Sequence, residues 1–527
     1  MTRSVARSPV WKERARSGPA GSGMTLPAAP VHPEAPAGEA LRAEVVVIGA
    51  GLTGLVTAHL LVRAGVDVLV LEAGGIGNLA SGATTAKSTV LQGARHHEIA
   101  EALGVDTARA HLRAHVRGQE WLRGFCSAHG VPIERVPAFT VATGSGSAGD
   151  RATASVQDEY AFLRDAFLHD PVLAAYGEAY GDAGGPEAGT APPCTGPAAG
   201  LHLRTDADTP LGRGTTIELP AQDAFDPLDV LEALADTVVA GGGRLGYGVR
   251  VSGMDRDGEV VALRTDREGT DRDEGSGAVE VQAGQVVLAT GSPVFDRGRT
   301  VAQLVARRSY LCAFEYDGDL PGMYLGVGPD SRSLRTATVA GKRYLLVGGE
   351  GHRTGDEAHP RVRPQELEAW TARAFPDAQL THAWSAQDLH PAGLVPMAEV
   401  LPGWGGRVHW AGGYAKWGMT AAPAAALRTV DRILGLPEEV TFGSPPGART
   451  AVRALGAALA APRALARQAG DVRVGRAAIG PACPHMGFPL TWNDAECSWD
   501  CALHGSRFTR DGARIEGPTG DDLRVGR

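Results

Sequence analysis

The apolar run Val45-Val46-Val47-Ile48 passes directly into a glycine turn, Gly49-Ala-Gly51-Leu-Thr-Gly54, then into the largely apolar stretch LVTAHLLVRAG and a second apolar run, DVLVLE, ending at Glu72. Apolar residues on both faces of a short run mark a strand covered on both sides, which belongs to a parallel sheet. Two such strands with a helix between them form a βαβ unit, and the three glycines occupy its first turn. Gly49 makes the turn, Gly51 lets a pyrophosphate approach the backbone, and Gly54 packs helix on strand. Glu72 closes the second strand, where its carboxylate can accept hydrogen bonds from ribose hydroxyls. This local pattern predicts a Rossmann-like dinucleotide site.

The chain of 527 residues is longer than one hydrophobic core supports, so two or three folded units are expected. A formal net charge of -9 excludes the basic footprint that nucleic-acid binding needs. Residues 1–42 are rich in Pro, Gly and Ala without hydrophobic period, and read as a disordered leader. There is no run of signal-peptide or membrane-span length, so the expected location is cytoplasmic. Residues 43–440 read as one domain, with dinucleotide-binding segments at about 43–95, 215–300 and 405–440 and substrate-domain segments at about 96–214 and 301–404. A Gly/Pro/Ala surface loop at 181–200 and a charged hairpin at 266–277 interrupt it. A connector helix at 441–470 leads to a short unit at 471–527.

That last unit carries the second constellation. Of six cysteines (Cys126, Cys194, Cys312, Cys483, Cys497 and Cys501), two stand beside histidines: Cys483 and His485 form CxH, and Cys501 and His504 form CxxH. Two sulfurs and two imidazoles from two short loops suit a Rieske [2Fe-2S] centre, in which the cysteines hold one iron and the histidines the other, at a potential of about -150 to +300 mV. A zinc site uses the same residue types but groups both cysteines together and both histidines together, so the interleaved order argues against it. Cys497 reads as a spare thiol. His96, His97, Asp106, His111 and His115 raise the question of a mononuclear iron site. Their spacing does not match one, and they read as histidines on the surface of an amphipathic helix.

With these residues in view, the chain from Glu44 to about Glu439 resembles the D-amino-acid oxidase and glycine oxidase superfamily of FAD-dependent oxidoreductases. The likeness lies in the glycine fingerprint, in VVLATG ending at Gly291 and in AGGYAKWGMT. It implies FAD, with Ser81, Thr85 and Lys87 of SGATTAKST near the flavin and pyrophosphate, Val249 beside adenine, and Gly412, Gly413, Trp417, Gly418 and Met419 over the flavin end. Gly412 and Gly413 before an apolar helix also make a backbone-amide nest in their own right. Segments SLR, GGEGHRTG and SAQD make Arg335, His352 and Asp388 candidates to line the flavin face, together with Lys416.

CPHMGFPLTWN, WDCALHGSRF and the later Gly517-Pro518 resemble the Rieske loops that end the YhfW-like FAD oxidoreductases. In that branch each loop carries a further cysteine, the two joined as a disulfide; here Phe488 and Leu503 stand at those places. The segment before Cys483 is short, so the base sheet is expected to be abridged and the cluster's assembly in doubt.

The expected fold is therefore α/β: a Rossmann-like FAD-binding domain with an inserted α+β substrate domain, plus a small C-terminal β Rieske-type domain. The resemblance implies oxidation of an amine or amino acid, with electrons leaving FAD through the cluster to an acceptor protein or quinone. A plain FAD oxidase with a vestigial tail and a non-catalytic redox sensor are the alternatives.

Overall fold

The computed structural model describes residues 5–13, 40–181, 200–267, 279–296, 300–329, 331–443 and 481–524. The loop at 181–200, the hairpin at 266–277 and the connector at 441–470 lie almost wholly outside the described residues.

The βαβ unit forms as its pattern dictates: strand Leu41–Ile48, helix Leu52–Arg63, strand Val68–Glu72. The two strands pair in parallel and continue in parallel to Glu280–Leu288 and Val408–Gly412 on one side and to Arg244–Tyr247 on the other. Strand Glu280–Leu288 forks. Its first half pairs antiparallel with Val260–Arg267, while Val286 to Leu288 pair with Val408 to Trp410. The fork turns the ribbon Val249–Asp257/Val260–Arg267 out of the plane and brings Val249 to the nucleotide turn. Met397–Val400 closes the edge of this eight-stranded sheet.

The second sheet has nine strands, in the order Gln379–Pro391, Leu304–Glu315, Lys342–Arg353, Ser333–Val339, Met323–Val327, Glu134–Ala142, Gly212–Ala224 and Lys87–Ser88, with His202–Thr209 beside Gly212–Ala224. Helices Arg95–Leu103, Val105–His129, Gly146–His169 and Pro171–Gly181 pack around its far end. Helix Val105–His129 also crosses Gly418–Ile433 at Gly118, where a Cβ would lie 1.9 Å from the carbonyl oxygen of Thr420, so only glycine permits the crossing. A third sheet, a four-stranded antiparallel meander of Leu490–Asn493, Ser498–Cys501, Arg507–Thr509 and Arg514–Glu516, forms the C-terminal unit.

Two expectations are corrected. His111 and His115, read as surface residues, are 2% and 0% exposed. Their helix is packed between Arg95–Leu103 and Gly418–Ile433, which turns its histidine face inward. There His115 Nδ1 lies 2.6 Å from Thr420 Oγ1, His111 Nε2 lies 3.1 Å from Gln92 Oε1, and His96 Nδ1 lies 2.6 Å from Glu159 Oε1.

The disordered leader is also not disordered throughout. Residues 5–13 are packed: Ala6 bridges the strand at His382, and Val10 and Trp11 are 0% and 1% exposed. One indole supplies enough apolar area to hold a short peptide that composition alone reads as free. Trp11 Nε1 donates to the carbonyl of Thr84 at 2.9 Å. Trp11→Ala should lower the unfolding free energy by about 3–5 kcal/mol, read by chemical denaturation; a change below about 1 kcal/mol would show that the segment is a passive rider.

Candidate functional site

The first three glycines act as their spacing implies. Gly49 has φ 109°, donates to the carbonyl of Leu71 at 2.8 Å, and has the carbonyl oxygen of Ala289 2.7 Å from where a Cβ would be. A Cβ on Gly54 would meet the carbonyl oxygen of Gly49 at 1.9 Å. Ser81 Oγ accepts from the backbone N–H of Leu52 at 3.1 Å, and it lies 3.1 Å from the Cβ position of Gly51. The carboxylate of Glu72 accepts from Ala50 N–H and from Gly74 N–H, both at 2.8 Å, which fixes its direction at the strand end. These groups open on a cleft of about 1460 Å³, counting its open mouth. Gly49, Gly51, Glu72, Ser81, Val249, Gly291, Gly412, Gly413 and Asp388 all line it. A glycine-walled cleft at a helix N-terminus, with an oriented carboxylate at the next strand end, fits the pyrophosphate and ribose of FAD.

The remaining expected residues divide. Thr85, Lys87, Gly418 and Met419 are absent from that lining. Lys87 sits beyond it: its Nζ is shut off from solvent without a hydrogen-bond partner, and burial, then the charges of Arg335 and Lys416, pull it down to about 7. Burial raises Asp388 against the pull of Lys416, and burial lowers Lys416 against the pull of Asp388. Arg335 is spent on the backbone: it donates to the carbonyls of Thr85 at 3.0 Å, Ala86 at 2.7 Å and Thr336 at 2.9 Å, and stacks over Trp11. It therefore positions the Thr84–Lys87 loop rather than lining the cleft. His352 lies 3.1 Å from Tyr310 Oη and donates through Nδ1 to the carbonyl of Arg353 at 2.8 Å, again outside the lining.

The cysteine-histidine loops repeat one design. Cys483 N–H donates to the carbonyl of Phe488 and Gly487 N–H to the carbonyl of Cys483, both at 2.8 Å. Cys501 N–H donates to the carbonyl of Ser506 at 2.8 Å and Gly505 N–H to the carbonyl of Cys501 at 3.0 Å. In each loop a glycine four residues after the cysteine has positive φ, 69° at Gly487 and 76° at Gly505, which closes the turn without a Cβ penalty.

Both thiols are 2% exposed and unbridged. The hydrogen bond from Cys501 holds the Cys483 thiol down at about 6, with help from the N–H groups of His485 and Met486, while Cys501 is held well up by the same contact. The rings of His485 and His504 lie 5.1 Å apart, and burial lowers both, His504 to about 4, which favours the neutral imidazole at each. His504 Nδ1 is buried with no hydrogen-bond partner. Among the described residues no three His, Cys, Asp or Glu side chains converge as a single ion requires. The donors form one sulfur pair and one nitrogen pair, the set that two bridged irons take. Phe488 and Leu503 pack, half-buried, on the core that holds Cys483 and Cys501. Cys497 is exposed at the hairpin turn with φ 54°, beside Arg7 Nη1.

Sequence reasoning missed how the two sites meet. Arg514, Ile515, Glu516 and Gly517 of the C-terminal unit line the nucleotide cleft, as do Arg250 and Gln387. Gln387 stands in the SAQD segment already singled out, but nothing local shows that a side chain between Ala386 and Asp388 faces the cysteine-histidine loops.

The comparisons agree with this geometry. Residues 44–432 match the family of FAD dependent oxidoreductases, and residues 440–525 match the Rieske [2Fe-2S] domain, a span that begins ahead of the boundary expected at 471. YhfW of Bacillus subtilis (strain 168), a protein named for a Rieske 2Fe-2S iron-sulfur centre, is 24% identical over 525 residues, covering 91% of this chain and 92% of that one. L-proline dehydrogenase from P. horikoshii aligns at TM-score 0.57 and 14% identity over 77% of this chain and 96% of its own. Glycine oxidase from Geobacillus kaustophilus aligns at TM-score 0.56 and 15% identity over 76% and 97%. These structural likenesses establish the fold, and the family match over most of the chain establishes the class, with FAD and a [2Fe-2S] cluster as the implied cofactors. This chain belongs to the FAD-dependent oxidoreductases and carries a Rieske domain at its C-terminal end.

Proposed function

We propose that the chain oxidises an amine or amino acid at FAD and passes the electrons through the [2Fe-2S] cluster to an acceptor protein or quinone. One residue carries this reading. Gln387 lines the cleft, accepts from Thr354 Oγ1 at 2.8 Å and donates through Nε2 to the carbonyl of Gly505 at 2.9 Å, one residue past His504. A single side chain thus spans from the cofactor cleft to a ligand loop, and tunnelling falls steeply with distance. When bound, FAD supplies two-electron oxidation of the carbon beside an amine, and the cluster supplies one-electron transfer.

The residues of the chain then bind, orient and exclude water. Glu72 and the glycine turn would hold the nucleotide, and Gly412 and Gly413 would present backbone to it from the same cleft. Cys483, Cys501, His485 and His504 would hold the irons. Asp388 lines the same cleft, and its charge and that of Lys416 act on each other. The named activities of the proline dehydrogenase and glycine oxidase, which share the fold, lie in the same substrate class.

Under anaerobic conditions the purified protein should hold about two irons and two labile sulfides per chain. A panel of amino acids should then bleach the flavin and bring up the low-average-g resonance of a reduced Rieske centre. Gln387→Leu should slow that resonance about tenfold relative to flavin bleaching, a cost of about 1.4 kcal/mol. Flavin bleaching beside a silent, fully loaded cluster would defeat the electron route.

Lys87 gives a pH test. Its folded-state value of about 7 lies below that of a lysine in the unfolded chain, so the unfolded chain holds the extra proton between the two values. Stability of the substrate-free protein should therefore rise with pH from about 7 to about 10. Lys87→Met should flatten that rise and stabilise the protein near pH 6, by an amount on the order of 1 kcal/mol. An unchanged slope in equilibrium unfolding would show that the ammonium is solvated.

A further inference from the structure

A piece of the cleft wall belongs to the C-terminal sheet. We propose that this sheet completes the FAD site, so that FAD and the cluster stabilise each other's binding; this rests on the reading above that both groups bind.

Arg514 to Gly517 run along the cleft. Arg250, from the strand that begins at Val249, donates through Nη2 to the carbonyl of Arg514 at 3.3 Å, which ties the wall segment to the nucleotide sheet. On its other side the segment rests on the ligand loop. Gly517 has φ 119°, and a Cβ there would lie 2.4 Å from the Cα of Ser506, the residue whose carbonyl closes the turn at Cys501. The wall of one cofactor site is thus in van der Waals contact with the loop of the other.

A second contact locks the arrangement. Arg308, on strand Leu304–Glu315, is 0% exposed and reaches Glu516 at 3.5 Å and Glu496 at 3.4 Å; Glu516 in turn accepts from Arg507 Nη1 at 2.7 Å. Shifting the sheet away would strip a buried guanidinium of its carboxylates as well as opening the cleft. A buried charge without its partner is costly, so the sheet has one seat. A disturbed cluster loop displaces Gly517 and with it Arg514 to Glu516, and a filled cleft holds those residues and thereby the loop. Because binding linkage is reciprocal, each cofactor must tighten the other by the same factor.

The test reads binding rather than turnover, in the full-length protein. FAD affinity of the FAD-stripped, iron-loaded protein is titrated by flavin fluorescence for the wild type, Ile515→Asp and Ile515→Val. Iron release to a chelator is timed for the wild type with and without FAD. We expect Ile515→Asp to weaken FAD binding about tenfold at unchanged iron content, Ile515→Val to bind like the wild type, and FAD to slow iron release about fivefold or more. Unchanged affinity in Ile515→Asp, or iron release indifferent to FAD, overturns the proposal. Should Ile515→Asp fail to fold, the iron-release arm on the wild type decides alone. A protein that holds no iron overturns both this proposal and the electron route above, whereas iron release indifferent to FAD overturns this one alone.

Discussion

Strand Gln379–Pro391 is the member on which the other parts of the molecule are hung. It pairs along its whole length with Leu304–Glu315, and the strand pleat sends alternate side chains to opposite faces. On one face His382 meets Glu13 of the N-terminal segment, Trp384 donates to the carbonyl of Ala83 at 2.8 Å, and Asp388 reaches the cofactor cleft. On the other, Ser385 takes a hydrogen bond from Arg308 and Gln387 takes hold of Gly505. A register slip of one residue would exchange the faces and take Gln387 away from Gly505. The relation between the two cofactor sites is therefore a consequence of strand register.

The junction beside this strand is ionic where an apolar contact would be simpler. Arg308 and Arg507 are buried among Glu496, Asp500 and Glu516. Such clusters add little net stability, since desolvation offsets most of the attraction, but they punish any arrangement that separates the partners. For two sites that share a wall, a single tolerated orientation is worth more than a strong one. Tight glycine contacts act in the same sense: a Cβ on Gly355 would lie 2.5 Å from the backbone nitrogen of Ala502, and one on Gly505 would lie 2.3 Å from the Cβ of Ala306.

Much of this was legible in the residues because it depends on short spacings. The glycine turn and Glu72 are set by the period of one βαβ unit. The two ligand loops each place a glycine four residues after a cysteine, CPHMG and CALHG, so their common closure by two backbone hydrogen bonds is implicit in the text of the chain. Other features were misread for an equally physical reason. Trp11 lies in a stretch whose composition argues for disorder, and its burial depends on a pocket beside Thr84 and Arg335, far along the chain. His111 and His115 follow an amphipathic period, but the period cannot say which neighbours cover which face. Arg335 was a reasonable catalytic candidate by type, and only the carbonyls of Thr85, Ala86, Phe225 and Thr336 around it show that its Nε and Nη1 are engaged with backbone.

What the amino-acid sequence determined by itself was the chemistry available at each end: a cradle of backbone amides with an oriented carboxylate, and a mixed set of two thiols and two imidazoles. Both are written in contiguous residues, because turn geometry and ligand type act over a few peptide units. What only the tertiary structure decided was that these ends share a wall. Arg514 to Gly517 reach the nucleotide cleft, and Gln387 reaches Gly505, through contacts that span more than a hundred residues. Such contacts depend on the register of a central strand and on which buried charges can find partners, and no local pattern encodes either.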